Sequence, residues 1–108
     1  MEEEMEHRVS KVEELRANRG FLARVDGEEI ALFRIDGKIC AIGNVCSHQH
    51  FSMLHQGEVQ GFTITCPMHG WTYDLNTGAS TNASGRVKTY EVVVRGEDVL
   101  IRTKNDAD

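Results

Sequence analysis

The pairs Asp26-Gly27 and Asp36-Gly37 constrain this chain more than any other feature. Each separates runs rich in β-branched and other apolar residues: 21–25 before the first, 29–35 between them, 39–42 after the second. Asp-Gly favours the positive backbone angles of a two-residue hairpin turn, so the three runs are expected to be consecutive antiparallel strands. Residues 62–65 and 71–75 read as further strands, followed by an Asn76-Thr77-Gly78 turn. Residues 89–94 and 99–102 flank Arg95-Gly96-Glu97-Asp98 and read as a closing hairpin. Residues 9–12 read as a first strand, and 13–19 as a turn or a single helical turn ahead of Gly20. Short strands at such regular spacing predict an all-β chain, a small antiparallel sandwich or barrel.

A length of 108 residues fits one domain. At that size a chain buries roughly two-thirds of its unfolded surface, so it can have a core without disulfides. Seventeen Asp and Glu against twelve Lys and Arg give a net charge of −5. That balance argues against a nucleic-acid surface, which needs clustered cations, and against anionic membranes. No apolar run approaches the ~20 residues of a membrane helix. The start, Met1-Glu2-Glu3-Glu4-Met5-Glu6, lacks the basic and apolar regions of a secretory signal, so a cytoplasmic location is expected. Residues 1–7 read as a flexible acidic N-terminus with His7 solvated, 8–103 as the domain, and 104–108 as an acidic C-terminal tail.

The chemistry-bearing residues lie between 46 and 73. Cys46-Ser47-His48 sets a thiol two residues from an imidazole, and Cys66-Pro67-Met68-His69 sets another pair three apart, with seventeen residues between His48 and Cys66. Gly57 and Gly61 bracket a turn in that interval. Two loops therefore each offer one sulfur and one imidazole nitrogen. Such donors suit zinc, iron and iron–sulfur clusters, and do not suit calcium or magnesium. The usual zinc order keeps two cysteines together and two histidines together, and this chain alternates them. Cysteine-nucleophile chemistry needs one thiol, one base and an orienting group, which two matched pairs exceed.

Cys46-Ser47-His48, the spacer, and Cys66-Pro67-Met68-His69-Gly70-Trp71 resemble the Rieske [2Fe–2S] signature, C-x-H…C-x-x-H-G. Tyr73, Asp74, Thr77 and Gly78 extend the likeness. The resemblance implies that Cys46 and Cys66 bind one iron and that His48 and His69 bind the other, in one [2Fe–2S] cluster per chain. Neutral imidazoles in place of two thiolates leave the oxidised cluster formally neutral, which eases its reduction. Rieske centres accordingly fall at about −150 to +300 mV, against about −400 mV for plant-type ferredoxins.

The high-potential members of the family carry a disulfide between the two cluster loops. Phe51 and Met68 occupy those cysteine positions here, and the third cysteine, Cys40, is expected in the core. Trp71 stands where those members have a hydroxyl donor, and Tyr73 keeps the position of their tyrosine. The chain is thus similar to the soluble, lower-potential ferredoxin components of ring-hydroxylating oxygenase systems. Trp71 and Met68 are expected to pack around the cluster and exclude water. Two departures bear on the partner: His50 replaces a common glycine, and the third loop, 81–87, lacks the family's proline. His55 and His50 are expected on exposed loops.

The resemblance implies a one-electron carrier rather than an enzyme, monomeric when isolated. It would take its electron from a reductase and pass it to a terminal oxygenase or other oxidoreductase. A terminal oxygenase would itself need a second, mononuclear iron site, for which there is no room. The alternative is a small accessory subunit of a larger oxidoreductase, such as a nitrite reductase.

Overall fold

A computed structural model describes residues 3–44, 54–67, 70–82 and 85–105. The strands in these segments are β1 (Glu3–Lys11), β2 (Gly20–Val25), β3 (Glu28–Ile35), β4 (Lys38–Gly43), β5 (Glu58–Gln60), β6 (Thr63–Thr65), β7 (Thr72–Asp74), β8 (Thr89–Arg95) and β9 (Asp98–Asn105). Every pairing between them is antiparallel. One sheet has the order β1-β9-β8-β4-β3-β2, and its edge strands β1 and β2 come back together, so it forms a nearly closed barrel. The second sheet, β5-β6-β7, is small and packs outside it.

The two Asp-Gly turns are where the sequence puts them. Asp26 and Gly27 have φ of 51° and 81°, and Asp36 and Gly37 have 49° and 81°. Positive angles at both central positions suit the right-handed twist of the flanking strands. The turns fix the registers Val25↔Glu28 and Ile35↔Lys38 and, through them, the alternation of every side chain in β2, β3 and β4.

That alternation makes β3 a wall between two cores. Ile30 and Leu32 point into the barrel with Leu15, Val25, Ala41, Val99 and Ile101. Ala31, Phe33 and Ile35 point the other way, together with Cys40 and Ile42 of β4. They meet Leu54, Ile64, Cys66, Tyr73, Leu75 and Val87. A strand buried on both faces reads as a continuous apolar run, which is how 30–33 appears in the sequence. The outer core is the floor on which the small sheet sits.

Several expectations need correction. The acidic leader is not a flexible end from Glu3 onward, because Glu3–Lys11 pairs along β9 from Glu3↔Asn105 to Lys11↔Asp98. Glutamate is a poor strand former, but cross-strand charge pairs compensate. Glu6 binds both Arg95 and Arg102, and Arg102 also binds Glu91. His7 is half-buried, with Nε2 3.1 Å from the Thr103 hydroxyl and 3.5 Å from Asp26. Asn105, expected in the tail, ends β9. Residues 58–60, expected within a bracketed turn, are β5, and the turn is at Gly61-Phe62. The expected helical turn is a single 3-10 turn at Val12–Glu14.

Candidate metal centre

The small sheet leads into Cys66, the cysteine of the second pair. β6 and β7 form a hairpin with Ile64 opposite Tyr73 and Thr65 opposite Thr72. The segment between them closes on itself. The Cys66 N–H donates to the Trp71 carbonyl at 2.7 Å, and the Gly70 N–H donates back to the Cys66 carbonyl at 3.2 Å. Gly70 has φ of 75°, in the left-handed region that glycine adopts without strain. Cys66 is 1% exposed. It lies two residues beyond Ile64 on the same strand face, so Ile64, Tyr73 and Cys66 share one side of the sheet. Tyr73 is fully buried in the same core, and Trp71 is half-buried and packs against it with Val59 and Phe62.

The first pair belongs to a loop whose two ends are held by Asn44. Its backbone N–H donates to the Glu29 carbonyl at 3.0 Å, and its own carbonyl accepts from the Leu54 N–H at 3.1 Å. The side chain is fully buried. Its Nδ2 donates to the Glu29 carboxylate at 3.3 Å, and Oδ1 accepts from the His55 N–H at 2.7 Å and from His55 Nδ1 at 3.1 Å. A carboxylate cannot donate, so the amide orientation is fixed and His55 must carry a proton on Nδ1. His55 was expected to be exposed, and it is half-buried in this contact. Gly20 lets β2 approach it: a Cβ there would lie 2.0 Å from the His55 carbonyl oxygen. Leu54, at the end of this loop, and Cys66, at the start of the other, are in one buried cluster.

Described residues of the third loop, 79–82, run along β7. Ala79 bridges Arg86 and Ser80 bridges Tyr73, and the Thr81 N–H donates to the Thr72 carbonyl at 2.8 Å. The Asn82 amide reaches the hairpin twice. Nδ2 donates to the Gly70 carbonyl at 2.8 Å, and Oδ1 accepts from the Thr72 N–H at 3.0 Å.

Of the proposed ligands, Cys66 is placed, whereas Cys46, His48 and His69 lie outside the described residues, as do Met68, Phe51 and His50. Among the described residues there is no group of three or more metal-binding side chains. Cys40 is buried in the outer core and is not in a disulfide. Burial pushes its thiol up, partly offset by the Lys38 ammonium. Asn44 and Asn82 were missed by sequence reasoning. Each looks like an ordinary turn residue, and only the folded chain shows what its amide holds.

The donor set fits an iron–sulfur cluster. Cys66 sits at the mouth of a closed turn, against an apolar core, and the chain offers two sulfurs and two imidazoles from two anchored loops. Comparison with known proteins agrees. The family model for the Rieske [2Fe–2S] domain matches residues 5–101. The ferredoxin component of the naphthalene 1,2-dioxygenase system of Pseudomonas aeruginosa is 37% identical over 79 residues, 71% of this chain and 75% of that protein. The ferredoxin of carbazole 1,9a-dioxygenase from Nocardioides aromaticivorans IC177 superposes with a TM-score of 0.84 at 32% identity, covering 89% of this chain and 95% of that one. A nitrite reductase small subunit from Mycobacterium tuberculosis shares the fold, with a TM-score of 0.87 at 21% identity over 93% of this chain and 96% of that one.

Proposed function

Since the chain belongs to the Rieske [2Fe–2S] family, we propose that it is the ferredoxin of an oxygenase-type system, taking one electron from a reductase and giving it to a terminal oxygenase. The observation that carries this reading is that Leu54, which follows the Cys46 and His48 segment in the sequence, and Cys66, which opens the second pair, lie in one buried core. Cys46 and Cys66 would hold one iron and His48 and His69 the other, within a domain of residues 8–103 extended by β1. The bound cluster supplies reversible one-electron chemistry. The residues around it do the rest. Trp71 and the outer core keep water from the Cys66 side. The Tyr73 phenol, on the strand face of Cys66, would donate to a ligand sulfur. In this reading the chain is a carrier without a substrate of its own, cytoplasmic, and monomeric when isolated.

The test is to purify the chain anaerobically, assay iron and acid-labile sulfide, and record visible absorption and the EPR of the reduced form. Two irons and two sulfides per chain, and reduction by a flavin reductase, are expected. One zinc and no sulfide would overturn the assignment. The small-subunit alternative predicts instead that the native protein elutes with a much larger partner on size exclusion.

A further inference from the structure

We infer that Asn82 is a positioning residue of the cluster loop that carries Cys66 and His69, a role that rests on the function proposed above. The segment that leaves His69, Gly70 to Thr72, is held from two sides. On one side Cys66 pairs with Trp71 and Gly70 through the main chain. On the other, no full strand pairs with β7 among the described residues, and the third loop takes its place. Thr81 donates its N–H to the Thr72 carbonyl. The Asn82 amide then bonds the Gly70 carbonyl and the Thr72 N–H, the two main-chain groups that flank Trp71. A side-chain amide presents an N–H donor and a carbonyl acceptor in the same plane, so it can stand in for the peptide of a neighbouring strand. Thr72 Oγ1 adds a weaker bond to the same Gly70 carbonyl at 3.3 Å.

Residues 81–87 contain no proline to stiffen them, so it is these bonds that hold Thr81 and Asn82 to β7. The bonds also set the peptide planes at Gly70 and Thr72, the described residues that follow His69 in the sequence. Asn82 is therefore tied to the segment that leaves a proposed ligand.

The experiment uses the intact protein with its cluster and compares wild type, Asn82→Ala, Asn82→Asp and, as a control, Thr63→Ala. Thr63 caps the far end of the same sheet through the Gln60 carbonyl. Three quantities are read: amide exchange of the 70–75 peptide by mass spectrometry, iron release to a strong chelator, and the EPR and midpoint of the cluster. Asn82→Ala should raise exchange and iron release about tenfold, as loss of two modest hydrogen bonds implies, and shift the EPR g-values and midpoint. Asn82→Asp keeps the acceptor for Thr72 but turns a carboxylate towards the Gly70 carbonyl. It should match Asn82→Ala in iron release while exchanging more slowly at Thr72. Thr63→Ala should leave all three unchanged.

If exchange rises but iron release, EPR and midpoint stay at wild-type values, Asn82 is merely structural and the inference is overturned. Unchanged exchange in Asn82→Ala overturns it as well. A wild-type protein that carries no cluster would instead sink the proposed function, an outcome visible before any variant is made.

Discussion

The barrel and the small sheet are held together by different chemistry. Across the barrel, ion pairs lace the strands: Glu6 with Arg95 and Arg102, Glu91 with Arg102, Arg8 with Asp98, Arg24 with Glu29, and Lys88 with Glu28. Among the described residues the small sheet and its loops are tied by hydrogen bonds rather than these ion pairs, such as Thr65 to Thr72 at 3.0 Å, the two from Asn82, and the Asp74 carboxylate accepting from the Asn76 and Thr77 N–H groups. The sequence carries the division further. Residues 45–57, 66–73 and 79–85 contain none of the chain's twelve Lys and Arg or seventeen Asp and Glu, yet hold four of its five histidines. A unit charge at ~8 Å in an effective dielectric of ~20 is worth about 2 kcal/mol. Loops without fixed charge leave a redox centre's potential to its ligands and hydrogen bonds, while the barrel keeps the solubilising charge.

The strongest way to break the comparison is Cys66→Ser. On the small-sheet side it should abolish iron and labile sulfide, read by metal assay and loss of visible absorption. Asn44→Ala comes next. It removes the acceptor of the part-buried His55 N–H and one of the donors to the Glu29 carboxylate, which keeps Arg24. A cost of about 2–3 kcal/mol follows, measurable as a lower denaturation midpoint with an unchanged denaturant slope.

Tyr73→Phe sharpens the comparison without breaking either part. A phenol donating to a ligand sulfur favours the more negative, reduced state. Its loss should lower the midpoint in protein-film voltammetry, and an unchanged midpoint would remove Tyr73 from the cluster's surroundings.

The smallest effect belongs to the barrel. The Arg102 hydrogen bond, and then Arg95, hold the Glu6 carboxyl below its ordinary value of about 4.5, against some opposing desolvation. A depressed folded value means the stabilisation is complete above the unfolded value and is lost as pH falls through the folded one. Glu6→Gln should therefore melt slightly below wild type at neutral pH. The two curves should converge in acid, and added salt should narrow the gap.

Local chemistry made much of this legible. The hairpins about Asp26-Gly27 and Asp36-Gly37 follow from backbone angles that few other residue pairs tolerate, and the ligand pattern from donor types at fixed spacing. What stayed hidden depends on partners distant in sequence. β1 reads as a solvated acidic run because its stabilising arginines are 89 and 96 residues away. β5 is three residues, Glu-Val-Gln, with a strand pattern too short to recognise until β6 lies beside it. Tyr73 was identified as important from its position, but its depth of burial follows from the double-sided packing of β3, which brings the outer core against it.

The clamp at Asn44 has a consequence for how the first loop can vary. Because Asn44 already joins the chain at Leu54 and His55, the loop is a closed ring before any metal binds. In the proposed centre Cys46 and His48 would form a chelating arm whose reach is set by the one and three residues separating them from Asn44. The remaining positions of the ring are 49–53. Ring closure grows costlier only logarithmically, by about 0.6 kcal/mol for each doubling of length. Insertions there should be cheap, whereas a single residue added between Asn44 and Cys46 would move both donors at once.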